Sequence, residues 1–145
     1  MNNNKSYNTI YLVTGIILIG IISRLIPNNL PNFSAVGAVA LFAGNYLKSN
    51  DLKYIIPISA MFIGDILLSF YNVGLASPLV HFSVYYSFII IVFIGSLKFK
   101  RKSKLFSVTV TSLIASLIFF IITNFAVWLG GAYGYTLNGL LTCYT

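Results

Sequence analysis

The stretch LVHFSVYYSFIIIVFIGSL, Leu79 to Leu97, runs into KFKRKSK at 98–104 and then into LFSVTVTSLIASLIFFIITNFAVWLG, Leu105 to Gly130. At 1.5 Å per residue either apolar block reaches, as a helix, across most or all of a hydrocarbon layer roughly 30 Å thick. The break between them holds five of the nine Lys and Arg residues of the chain. A basic stretch between two blocks of bilayer length reads as a cytoplasmic loop joining two membrane helices. Composition agrees: 58% of the 145 residues are apolar and 8% charged, against about 25% charged in an ordinary soluble protein. A water-soluble fold is excluded, and the net charge of +7 calls for no nucleic acid. The single cysteine, Cys143, leaves no internal disulfide.

Outward from this pair, three further apolar blocks cover Thr9 to Ile26, Phe33 to Leu47 and Tyr54 to Tyr71. The second has 15 residues, about 22 Å of helix, so it must be short for the bilayer or extended by polar flanks. It is built from small residues, and Ala40 with Gly44 has the small-xxx-small spacing that lets helix backbones approach in lipid. An alternating path with a cytoplasmic amino terminus places Lys5, Lys48, Lys53 and the 98–104 cluster on one side. The connections at 27–32 and 72–78 carry no Lys or Arg, so Arg24 is the sole basic residue left out. That distribution follows the positive-inside rule.

Lys5 and the apolar run after it resemble a signal peptide, but Arg24 and Pro27 stand where small residues should lead to cleavage, so the segment is read as retained. After the fifth block, Thr136 to Thr145 carries Leu137, Leu140, Leu141 and Tyr144 at helical spacing. Ten residues cannot recross the bilayer. They are expected to be the beginning of a sixth helix in a chain cut short at its carboxy end. The expected fold is all-α: a polytopic helical bundle, one integral membrane domain over 1–145, with five membrane segments and the start of a sixth.

Polar side chains inside such spans are costly and need partners. Asp65 lies about 9 Å from the outer end of the third block, and Arg24 stands two residues from the outer end of the first. An ion pair between them is the expected arrangement, with a direct role in binding as the alternative. His81, Tyr85, Tyr86, Asn124 and Trp128 fall at the same outer depth. Asn124 and Trp128 share a helix face at i, i+4, suited to orienting and stacking a planar polar ring, with the glycines of 130–134 as a flexible lid. Thr109, Ser112 and Ser116 are read as helix-packing hydroxyls. Polar groups crowd the outer half alone, which suggests a cavity open to the outside. The candidate solute-binding residues are therefore Asn124, Trp128, Asp65, His81, Tyr85 and Arg24.

Catalytic patterns are weak. The one His, the one Cys and a single intramembrane carboxylate offer neither a nucleophile elbow nor metal-ligand spacing, so neither a triad on His81 and Asp65 nor a metal at Asp65, His81 and Cys143 is expected. No phosphate-binding glycine loop is present. The chain is read as a non-enzyme without cofactor.

Ser23 to Pro27, Asn32 to Gly44, Gly64-Asp65, Thr123 to Trp128 and Leu140 to Tyr144 together resemble a family of small, otherwise uncharacterised bacterial membrane proteins labelled as transport proteins. Members of that family continue past the Cys-Tyr pair into a further apolar segment. More distantly, the architecture is similar to the substrate-binding S components of energy-coupling factor vitamin transporters. That resemblance implies a multi-pass protein of the bacterial plasma membrane which takes up a small nutrient or vitamin-like solute and docks a transmembrane coupling subunit with ATPases. S components dock through an Ala-xxx-Ala surface in the first helix. Here the first block has Gly15 and Gly20, and the small-residue surface is in the second. The alternative expectation is a non-transporting accessory subunit that uses this second-block surface.

Overall fold

A computed structural model describes residues 3–25, 35–70, 77–97 and 104–145, with side chains from Tyr11 in the first segment and from Phe106 in the last. The connections at 27–32 and 72–76 and the basic stretch at 98–103, on which the charge argument leans, lie outside the described residues. All regular structure among the described residues is helical: α1 Asn3–Leu25, α2 Val36–Tyr46, α3 Asn50–Phe70, α4 Pro78–Ser96, α5 Lys104–Leu129 and α6 Leu137–Tyr144. The five apolar blocks are thus α1 to α5, and the carboxy-terminal pattern is α6. Within the second block the helix Val36–Tyr46 has 11 residues, about 16 Å of rise.

Local chemistry sets several of these ends. Pro78 opens α4 at its first turn, where a missing N–H costs nothing. Thr136 caps α6 by accepting the Gly139 N–H on its hydroxyl at 3.0 Å. Between α5 and α6 the chain reverses through Gly131 and Gly134 at φ 76° and 78°, a region that side-chain-bearing residues resist.

The centre of the bundle is the contact of α2 with α4, flanked by α3 on one side and α5 on the other. Val36, Ala40, Met61, Phe88, Ile91, Val92 and Ala115 form its core. A Cβ on Gly44 would collide with the Val92 carbonyl, and one on Gly95 with the Leu41 carbonyl, so only glycine permits this approach. Of the small residues expected to form a docking face on the second block, Gly44 thus packs on α4 within the chain. α1 packs on α3 and α2, α6 packs on α5 alone, and α5 makes no packing contact with α1 or α3 among the described residues.

The outside of the bundle is apolar. Tyr11, Phe62, Phe93, Leu113 and Leu117 are each more than half exposed, which suits lipid and not water. Asn50–Phe70, Pro78–Ser96 and Phe106–Leu129 are long and apolar enough to cross a membrane.

Candidate functional site

The last turn of α1 is hooked onto the start of α2. Ser23 donates its hydroxyl proton to the Gly20 carbonyl at 2.8 Å and accepts the Ala35 N–H at 3.0 Å. This fixes the next residue, Arg24, whose side chain crosses to α3. Gly64 makes the crossing possible, because a Cβ there would stand 2.8 Å from both Cδ and Nε of Arg24. The guanidinium pairs through Nη2 with Asp65 Oδ1 and turns Nη1 toward Met61 Sδ at 3.1 Å. Met61, Gly64 and Asp65 lie at i, i+3 and i+4, one face of α3.

The other carboxylate oxygen of Asp65 is reached from α4. Tyr85 donates its hydroxyl to Oδ2 at 2.7 Å. His81 Nε2 stands 3.3 Å from the same oxygen. His81 and Tyr85 are one turn apart, with ring centroids separated by 5.1 Å. Side chains from α1 and α4 thus converge on one carboxylate of α3. Access is graded: the side chain of Asp65 is 7% exposed, that of Arg24 18% and that of His81 29%. Asp65 is the sealed centre and His81 the rim. Tyr86, one residue on, points outward at 59% exposure and takes no part.

The expected ion pair is present, and His81 and Tyr85 join it. Asn124 and Trp128 form a separate group. Asn124 donates an amide N–H to the Phe120 carbonyl of its own helix at 2.8 Å. Trp128 donates its indole N–H to the Thr136 carbonyl at 3.3 Å and packs near Phe125 and Tyr135. Both lie on α5, which among the described residues makes no packing contact with α3. They are nevertheless at the same end of the bundle as His81, since a Cβ on Gly130 would stand 3.7 Å from Ser77 Oγ at the head of α4. Sequence reasoning passed over Met61, although its place four residues before Asp65 puts it on the same helix face.

Ser112 and Ser116 face an apolar groove of about 280 Å³ between α2, α4 and α5, together with Gly37, Leu41, Phe88 and Phe119. Among the described residues no three His, Cys, Asp or Glu side chains are grouped to hold a metal ion. Cys143 is buried in α6, which packs only on α5.

Fold and site define an all-helical protein with helices of membrane length and, at one end, a four-residue polar cluster around a buried carboxylate. Residues 4–145 match the model of a family of unknown function, DUF6580, and the chain belongs to that family. No curated protein and no solved structure matches it.

Proposed function

We propose that this chain is a multi-pass protein of the bacterial plasma membrane, with a cytoplasmic amino terminus, that binds a small solute from the outer face as the substrate-binding component of an uptake system. The observation that carries the reading is the cluster itself. Charged and polar side chains inside an apolar bundle are costly, and a structural ion pair needs only Arg24 and Asp65. The addition of His81 and Tyr85, with His81 left partly open, gives the pair a rim that a solute can touch. Five membrane segments with all but one basic residue on the inner side account for the orientation. With no nucleotide loop in this sequence, any ATP-driven step would fall to a coupling subunit with ATPases.

Mass spectrometry of small molecules retained by the purified protein tests the binding role. A solute retained by the wild type and lost in His81→Asn at equal yield and thermal stability supports it. Solute content identical in the two proteins removes the site from this cluster. The orientation is tested with a cysteine at Ser103 in a Cys143-free background, which should resist an impermeant thiol reagent in intact cells and react after lysis. A cysteine at Asn29 should do the reverse, and labelling of position 103 in intact cells overturns the orientation.

A further inference from the structure

We infer that the cluster takes a small anion, with a carboxylate or an oxyanion of the same chemistry seated on the Arg24 guanidinium. This inference rests on reading the cluster as a solute site, and it follows from an inventory of donors and acceptors. The only carboxylate present, that of Asp65, is fully engaged. One oxygen is held by Arg24 Nη2; the other receives the Tyr85 hydroxyl at 2.7 Å and faces His81 Nε2 at 3.3 Å. With its side chain 7% exposed, it offers a cationic ligand neither a vacant oxygen nor a path to one.

The donors are in surplus. A guanidinium carries five N–H groups and no acceptor. Among the described residues a single oxygen, Asp65 Oδ1, meets them. Nη1 is turned to the thioether of Met61 at 3.1 Å, and sulfur of this kind accepts hydrogen bonds weakly. Among the described residues Nε is buried without a partner. A buried donor left unfilled costs free energy that an oxygen ligand would recover, most of all a charged one. His81, with its side chain 29% exposed, is the most open of the four residues. A Cβ at position 64 would collide with Cδ and Nε of Arg24, so Gly64 lets the side chain lie against α3, and the planar guanidinium holds its N–H groups in fixed directions. A ligand oxyanion replacing the Met61 thioether at Nη1 meets this surplus without dislodging Asp65.

The test uses the purified full chain in detergent with sodium benzoate, benzamide and benzylammonium chloride at matched ionic strength, read by calorimetry or thermal unfolding. Benzoate should bind saturably and at least about tenfold more tightly than the neutral or cationic isostere. Arg24→Lys should weaken benzoate by roughly tenfold, because an ammonium keeps the charge and loses the fork. His81→Asn should weaken it by about threefold at an unchanged unfolding temperature of the ligand-free protein, as loss of one rim contact implies. Equal or tighter binding of benzamide or benzylammonium, abolished by His81→Asn, overturns the anion and leaves the solute site standing. Absence of benzoate binding, in a protein whose retained solutes are neutral or cationic and vanish with His81→Asn, does the same. Benzoate binding untouched by both substitutions places the anion elsewhere and overturns the inference and the site together.

Discussion

Helix α4 joins two regions built on opposite terms. Its final turns, at Val92 and Gly95, lie backbone against backbone on α2, and glycine alone makes the approach possible. Its opening turns, at His81 and Tyr85, reach α3 through side chains that meet at Asp65. In lipid, apolar side chains gain little by leaving the bilayer for a helix interface, so close backbone contact is what holds helices together. Charged groups gain nothing there without partners, and each one retained calls for an explanation beyond cohesion. The end that fixes the bundle is therefore chemically mute. The end that could do chemistry is held in place by the other.

The sharpest way to break this contrast is Gly95→Leu. A side chain driven into the Leu41 carbonyl meets backbone that cannot turn aside, so the variant should lose more than about 3 kcal/mol or fail to fold, beyond the usual overpacking cost. Unfolding by sodium dodecyl sulfate in bicelles reads the loss; a wild-type midpoint would show that α2 and α4 are not in backbone contact. Asp65→Asn should come next, at about 2 to 3 kcal/mol, because it strands Arg24, whose partial exposure allows some rehydration. The double variant with Arg24→Gln should recover part of that loss, and strict additivity of the two singles would mean the residues are uncoupled. Tyr85→Phe should have the smallest effect, about 1 kcal/mol for one hydrogen bond to a carboxylate. In the Asp65→Asn background it should cost clearly less, and an equal cost in both backgrounds would assign the effect of Tyr85 to packing.

Hydropathy placed the helices within a few residues, because runs of apolar residues bounded by Pro, Asn and Gly leave little freedom in where a helix ends. Depth was legible too: Arg24, Asp65, His81 and Tyr85 fall at one level by simple counting of rise per residue. Which helices are neighbours was not legible. Periodicity states which side chains share a face of one helix, and it is silent on whether α3 meets α4 or α5. Asn124 and Asp65 therefore looked equally suited to one outer cavity, although α4 separates them. The same gap hid that Gly44 of α2 lies against the Val92 carbonyl of α4, and Gly95 of α4 against the Leu41 carbonyl of α2. Asn124 also satisfies one amide proton on the carbonyl four residues back, a local solution that helical spacing permits anywhere and so cannot announce.

The placement of Trp128 has an optical consequence. The chain has one tryptophan, and its indole N–H is tied to the Thr136 carbonyl beside the Tyr135 ring. Its emission therefore senses how closely α6 is folded back on α5. Its maximum should accordingly shift when the turn at Gly131 and Gly134 opens.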